Sequence, residues 1–278
     1  MFSGQLTAFS NSGTSSNGSS FSKRRMSKKQ TQTNFIQEFI DLGHMEKVTQ
    51  SPTLGKHYYM PHRAVTKDTS TTTKLRVVFN ASCRTTTGFS LNDTKMIGPQ
   101  LQPDLYMALI RMRTYRFALT ADVAKMYRQV RINPNQVDYQ RIVWRNSPED
   151  DVEDYRILTV TYGVASSSHF AIKAIQQATL DEEKNHPVPS NVIMNHFYTD
   201  DLLTGSYYEE ELNRIRTDVS AILMKGGFSL REWSFNSSLV NFVPEDQRKV
   251  LPPLDFSDAD GIRTLGHQRN LSAINQDY

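Results

Sequence analysis

Two adjacent acidic residues, Asp200 and Asp201, interrupt a short apolar stretch at residues 197–203. The apolar flanks predict two short buried strands, so the acidic pair would occupy the tight connection between them. Neighbouring carboxylates raise each other's pKa and resist burial, and such a pair usually persists because a cation binds it. A solvated Asp-Asp turn in an ordinary hairpin has the same sequence pattern, so the rest of the chain must decide.

A third carboxylate, Asp122, lies near the end of an apolar segment at residues 117–123 that predicts a buried strand. Asp200 follows it by 78 residues. One strand-end aspartate and a hairpin pair form the carboxylate set that a two-metal phosphoryl-transfer site requires. Mg²⁺ suits these oxygen ligands, because substrate phosphates complete its coordination shell. A two-metal nuclease would use the same carboxylates, and this alternative stays open.

Two further stretches are candidates for contact with a nucleotide. A predicted hairpin carries Lys67, Lys74 and Arg76 near its tip, a cationic arm suited to a triphosphate. Lysines that protect an exposed edge strand are the alternative. The stretch 162–168 is a strand-to-helix junction, in which Gly163 permits close approach of a ligand and serines can cap the helix. A plain capped helix explains this junction equally well.

The elements that position these residues follow from apolar spacing. Asn34 is predicted as the N-cap of a helix that ends at Gly43, and Asp104 opens a second helix. Phe170 and Ala171 begin the core-facing side of a third helix, and a fourth ends at the glycine pair 226–227. Strands are predicted over residues 58–65, 74–80, 117–123, 140–144 and 155–161.

Composition restricts the cellular setting more than the function. The net charge is +3, but residues 1–30 hold five basic residues and no acid, so the remainder is close to neutral. This Ser/Gly-rich basic tail is predicted to be disordered, as a solvated linker or as a nucleic-acid contact or nuclear address. The single cysteine, Cys83, excludes an internal disulfide and favours an intracellular location, cytoplasmic or nuclear. The sequence has neither a signal-peptide pattern nor a long apolar stretch, so we expect neither secretion nor membrane insertion.

Eight motifs in sequence order resemble the reverse transcriptase of Pao/BEL-type long-terminal-repeat retrotransposons, from about residue 35 to about residue 266. They are Asp-Leu-Gly-His-Met (41–45), Tyr-Met-Pro-His (59–62), Thr-Lys-Leu-Arg-Val-Val-Phe-Asn-Ala-Ser (73–82), Ser-Leu-Asn-Asp (90–93), Gly-Pro-Gln-Leu-Gln (98–102), Thr-Ala-Asp-Val-Ala-Lys-Met-Tyr (120–127), Thr-Tyr-Gly-Val-Ala-Ser-Ser (161–167) and Phe-Tyr-Thr-Asp-Asp (197–201). The resemblance implies an α+β fold with reverse-transcriptase-like fingers and palm, the antiparallel palm sheet packed on helices. The thumb would be largely or wholly missing, as in a truncated fragment of a DNA-integration polyprotein.

The resemblance also implies boundaries and roles. After the disordered tail at 1–30, fingers would comprise residues 31–98 and 129–160, palm 99–128 and 161–270, and a tail 271–278. The metal ligands would be Asp122, Asp200, Asp201 and the Val123 carbonyl. Tyr127 would exclude a ribose 2′-hydroxyl, and Arg76 with Lys67 or Lys74 would bind the triphosphate. Tyr162 and Gly163 would lie beside the nascent base pair. Leu265 and Gly266 would hold the primer end.

The implied activity is RNA-directed DNA polymerisation by nucleotidyl transfer onto a primer 3′-hydroxyl. It would use two Mg²⁺ ions, with Mn²⁺ as a substitute, deoxynucleoside triphosphates, and a primer on an RNA or DNA template. The chain departs from the family pattern at Arg63, Asn80, Ser168 and Arg269. These departures motivate the alternative of a catalytically inactive retroelement remnant that at most binds nucleic acid.

Overall fold

Helices and antiparallel strands are mixed along the chain, and the expected α+β class is confirmed. The computed structural model describes residues 32–49, 57–66, 75–249, 262–264 and 267–269. The helices are α1 (32–41), α2 (Leu105–Thr114), α3 (Ser167–Glu182), α4 (Pro187–His196) and α5 (Glu209–Lys225). The strands are β1 (Met45–Lys47), β2 (His62–Thr66), β3 (Leu75–Phe79), β4 (Phe117–Val123), β5 (Arg141–Trp144), β6 (Glu153–Ile157), β7 (Phe197–Tyr198), β8 (Asp201–Ser206), β9 (Leu230–Phe235), β10 (Ile262–Thr264) and β11 (His267–Arg269).

A four-stranded antiparallel sheet has the strand order β7-β8-β4-β9. Asp122 lies in β4 and Asp201 in β8, and Asp200 lies in the turn between β7 and β8. The inner strand β4 pairs with β8 from Phe117 opposite Ser206 to Asp122 opposite Asp201. The pairing with β9 contains a bulge between Thr120 and Asp122. Side chains alternate between the two faces of a strand, so this register decides which residues share a face.

One face of this sheet forms the largest core. Leu119, Ala121 and Val123 of β4 are buried there against α3, α4 and α5, which contribute residues such as Ile175 and Val219. The helices present these residues at the three- and four-residue spacing of one helical face. The opposite face packs only at one end: Ala118 and Leu203 form a smaller cluster with Ala108 and Met112 of α2.

A second core lies under two smaller sheets, β2-β3 and β1-β6-β5. Its buried residues come from two separate parts of the sequence, residues 36–91 and 142–157. Phe39 of α1 and Phe79 of β3 meet at its centre, with ring centroids 6.2 Å apart. The described chain therefore has two main hydrophobic centres, and the chain passes from one to the other more than once.

Most elements predicted from apolar spacing are found. The strand over residues 117–123 is confirmed, and the helix that carries Leu212, Ile215, Val219 and Ile222 on its buried side ends at Gly226. The side chain of Asp104 caps α2 by accepting the Tyr106 N–H. Two strand bounds are wrong, because β2 begins at His62 and β6 spans Glu153–Ile157. Helix α4 was not predicted.

Three local predictions are wrong. Asn34 is not an N-cap, because the helix already includes residue 32. No serine side chain caps α3: Ser166 makes no capping hydrogen bond, and the Ser167 hydroxyl donates to the Thr161 carbonyl instead. Phe170 is 54% exposed, although Ala171 one position later is buried. Within the residues that the structure describes, no helix is both long and apolar enough to cross a membrane.

Candidate active site

The fold brings Asp122 and Asp201 together, although 78 residues separate Asp122 from Asp200 in sequence. The two residues are direct cross-strand partners in the pairing of β4 with β8. Side chains of such partners lie on the same face, with Cβ atoms about 4.5–5.5 Å apart. Asp200 occupies the turn before β8, and its carbonyl oxygen accepts a 2.9 Å hydrogen bond from the Val123 N–H. The hairpin predicted around the acidic pair is present as β7 and β8.

The acidic residues face away from the largest core. Asp122 shares a face of β4 with Ala118 and Thr120, whereas Leu119 and Ala121 point into the helices. Helix α2 covers the Ala118 end of this face, and the three carboxylates at the other end are partly exposed. The sheet therefore holds the carboxylates rigidly from behind while leaving their front accessible, as a site for a charged substrate requires.

Electrostatics at this end of the sheet is unfavourable for ionised carboxylates. Burial raises the pKa of Asp122 to about 8, and the charges of Asp200, Asp201 and Glu232 act in the same direction. Burial, and then the charge of Asp200, raises the pKa of Asp201 to about 6. The ammonium group of Lys249 opposes both increases. In the absence of a further cation, Asp122 therefore holds a proton at neutral pH.

The backbone around the carboxylates is strained as well. Lys125, Thr199 and Glu232 have φ values of 53°, 54° and 53°, and among the described residues no other non-glycine residue has a positive φ. All three lie within three residues of Asp122, of Asp200 or of the β9 position opposite Asp122. Strained backbone of this kind is concentrated at functional sites.

Tyr127 lies in a short 3₁₀ turn, Met126–Gln129, that follows β4. Its ring is partly buried against the largest core, and its hydroxyl is 3.1 Å from the Ser168 hydroxyl at the start of α3. The next residue, Arg128, is buried over the ring of Phe39 and pairs with Glu38 of α1. Tyr127 is thus fixed between the two hydrophobic centres, at the position where the chain leaves the carboxylate strand.

The Tyr162-Gly163 loop is built tightly against the end of β3. Gly163 has φ +95°, and a Cβ there would lie 2.3 Å from the Phe79 carbonyl oxygen, so only glycine fits. The Tyr162 ring packs on Phe79 with centroids 5.7 Å apart. Asn92 fixes the loop by donating to the Gly163 carbonyl and accepting from the Ala165 N–H. The backbone of Phe79 therefore makes a close approach to Gly163 that requires glycine at this position.

Some predicted residues cannot be assigned. Lys67, Lys74, Leu265 and Gly266 lie outside the described residues, and of Arg76 only its place in β3, opposite Val65, is described.

Sequence reasoning missed three residues at the site. Glu232 and Lys249 alter the pKa of Asp122, and Gln102 bonds to the turn residue Thr199. Glu232 could have been suspected from its charge in an apolar segment. Lys249 and Gln102 carry no local signal, because their distance along the chain hides the contact.

The donor set fits a divalent cation that is completed by substrate. Among the residues described, no three His, Cys, Asp or Glu side chains are grouped to hold an ion by themselves. Mg²⁺ in nucleotide-dependent enzymes commonly binds one or two carboxylates and takes its other ligands from phosphates and water. Asp122 and Asp201 supply such a pair; burial first, and then neighbouring carboxylates, raise their pKa values, and a bound cation would offset both effects.

No protein-family model matches the chain, and no curated protein sequence matches it.

Proposed function

We propose that the chain is the polymerase core of a retrotransposon reverse transcriptase, which extends a primer on an RNA or DNA template with deoxynucleoside triphosphates. The observation that carries the proposal is the register of Asp122 opposite Asp201, on an open face of an antiparallel sheet. A carboxylate pair so placed is suited to binding metal ions at a phosphate-transfer site. The resemblance of eight ordered motifs selects polymerisation among the two-metal reactions.

The arrangement of cores supports the fingers-and-palm interpretation. The buried residues of the second core lie within 31–98 and 129–160, which the resemblance assigns to fingers, and partly buried Tyr162 and Val164 pack against it from the adjoining segment. The carboxylate sheet and its helices draw on residues within 99–128 and 161–270, assigned to palm. An interrupted domain of this kind explains why the chain passes three times between the two hydrophobic centres.

In this mechanism Asp122 and Asp201 would hold Mg²⁺, with Asp200 and the Val123 carbonyl as neighbouring ligands. Bound Mg²⁺ supplies activation of the primer hydroxyl and neutralises the departing pyrophosphate. Because its pKa is raised, Asp122 would have to release a proton in order to serve as a metal ligand at neutral pH. Tyr127, fixed by Ser168 and the core, limits the space at the sugar and favours deoxynucleotides. Arg76 with Lys67 or Lys74 binds the triphosphate, and Leu265 and Gly266 hold the primer end.

Primer extension by the purified chain tests the proposal. A labelled DNA primer is annealed to RNA or DNA template and incubated with deoxynucleotides and Mg²⁺ or Mn²⁺. We expect incorporation by the wild type and by Asp151→Asn, which changes an exposed carboxylate in the β5–β6 loop. Asp122→Asn and Asp201→Asn should abolish it. Absence of incorporation by folded wild-type protein would refute the proposal, and degradation of the labelled strand that depends on Asp200 would indicate a nuclease.

An inactive remnant that binds nucleic acid is the second candidate. One observation favours it: among the described residues, no group of three acidic or histidine side chains is preformed around an ion position. The substitutions at Arg63, Asn80, Ser168 and Arg269 point the same way. A remnant predicts primer-template binding in a filter or anisotropy assay with no incorporation under either metal.

A further inference from the structure

The segment 98–102 lies between α3 and the acidic hairpin and forms hydrogen bonds to both. Its contacts with α3 fix its path. The His169 ring nitrogen lies 3.1 Å from the Pro99 carbonyl oxygen, and the Gln176 side chain donates to the Leu101 carbonyl at 3.0 Å. Gly98 has φ +86°, and a Cβ there would lie 2.5 Å from the His169 ring. The segment can therefore run this close to α3 only with glycine at its start.

Gln102, at the other end of this segment, bonds to both backbone polar groups of one turn residue. Its side-chain oxygen accepts from the Thr199 N–H at 2.7 Å, and its side-chain nitrogen donates to the Thr199 carbonyl at 3.4 Å. The two residues are 97 positions apart in sequence. Only an amide side chain offers an acceptor and a donor side by side in this way.

Thr199 needs such support. It is the first residue of the two-residue turn between β7 and β8, and its φ is +54° while Asp200 has a negative φ. Hairpin turns with a positive φ at the first position alone normally have glycine there. A β-branched residue in this conformation is a true outlier. Strand β7 has only two residues, so its pairs Phe197 with Leu202 and Tyr198 with Asp201 hold the turn weakly.

We propose that Gln102 is a positioning residue: it keeps the Thr199 turn in its left-handed conformation and so holds Asp200 and Asp201 against Asp122. This inference rests on the proposed function for its catalytic consequence, but its structural consequence is independent of activity. Helix α3 anchors the segment 98–102 and also holds Tyr127 through Ser168. The acidic hairpin and Tyr127 are therefore positioned by the same helix.

The test compares Gln102→Met, which keeps the length of the side chain and removes both hydrogen bonds, with Gln100→Met. Gln100 is exposed, and its side chain donates only to the Gln102 carbonyl, so it is a matched control on the same segment. Hydrogen exchange of peptides covering residues 197–203 is measured in the full chain without metal. We expect exchange there to be at least several-fold faster in Gln102→Met and unchanged in Gln100→Met.

Primer extension gives the catalytic readout. Gln102→Met should lower kcat on the order of 10- to 100-fold, as misplaced catalytic groups do, with a much smaller change in the KM for deoxynucleotide. Thr199→Gly, which removes the backbone strain, should reduce the effect of Gln102→Met in the double variant. If Gln102 stabilised the protein without acting on the Thr199 turn, the two substitutions would instead have independent effects on kcat, and their fold-changes would multiply.

Two outcomes would overturn the inference. One is unchanged exchange at residues 197–203 in folded Gln102→Met, and the other is multiplicative effects of Gln102→Met and Thr199→Gly on kcat. If the wild type incorporates no nucleotide, the proposed function fails. The exchange measurement then still decides whether Gln102 holds the turn, so the two failures are distinguishable.

Discussion

Replacing Asp122 by asparagine should stabilise the metal-free protein at alkaline pH. Burial and the charges of Asp200, Asp201 and Glu232 raise the pKa of Asp122 from its ordinary value of 3.8 to about 8. Between these two pH values the unfolded chain carries an ionised aspartate and the folded chain a protonated one. The folded state binds more protons, so the contribution of Asp122 to stability falls as pH rises through this window.

The magnitude follows from the size of the shift. A rise of about four units, at about 1.4 kcal/mol each, is worth about 6 kcal/mol at pH 8 as an upper bound. Since Asp122 is partly exposed, we expect about 3–6 kcal/mol. Asparagine has a similar shape and does not ionise. Asp122→Asn and the wild type should therefore be equally stable near pH 4 and differ by this amount near pH 8.

Urea unfolding followed by circular dichroism, in buffers with a chelator from pH 4.5 to 8, measures the difference. Asp151→Asn is the control, because Asp151 is exposed in the loop between β5 and β6. Added Mg²⁺ should stabilise the wild type at pH 8 more than Asp122→Asn, since ligand binding favours the folded state. A stability difference between wild type and Asp122→Asn that stays constant across this pH range would refute the electrostatic account.

Three further perturbations test other parts of the site. Lys249→Met removes a positive charge beside both buried carboxylates. That charge repels Mg²⁺ more strongly than it repels the competing proton, so the Mg²⁺ concentration for half-maximal incorporation at pH 7 should fall about 3- to 10-fold. Gly163→Ala should destabilise by about 1–3 kcal/mol more than Gly88→Ala in urea unfolding, because both glycines have positive φ but only the first meets a backbone oxygen, that of Phe79. Tyr127→Val should lower the preference for deoxynucleotides over ribonucleotides about 10- to 100-fold in competitive primer extension, whereas Tyr127→Phe, which keeps the ring, should not.

Local apolar spacing was sufficient to predict the elements whose burial is regular. Strand β4 and helix α5 have a continuous buried side, so the sequence predicts the bounds of β4, and the type and the C-terminal end of α5. The errors fall where a tertiary contact replaces a local one. The serines of the 162–168 junction are predicted to cap a helix, but the Ser167 hydroxyl donates to the Thr161 carbonyl. Phe170 is predicted on the core-facing side, but among the described elements none covers it, and it is exposed.

The sequence likewise predicts one part of the candidate site, the identity of its carboxylates, but not how the strands pair them. Asp122 and the pair Asp200-Asp201 could be chosen from residue type and flanking strands, because strand ends and hairpin turns are local features. Their register could not, since it depends on pairing between strands about 80 residues apart. The Lys249 N–H donates to the Trp233 carbonyl and so holds Lys249 beside β9, a contact with no sequence signature.

Strain and charge at the carboxylate end of the sheet have a common physical consequence. Left-handed backbone at Lys125, Thr199 and Glu232 costs about 1–2 kcal/mol each, and the buried carboxylates add an electrostatic cost. The large core behind β4 fixes the strand positions through many packing contacts, so it can hold these strained conformations. At the proposed Mg²⁺ site these backbone positions are already fixed, so cation binding would offset the charge repulsion without reorganising the backbone. The same residues that weaken the metal-free protein therefore preorganise the site.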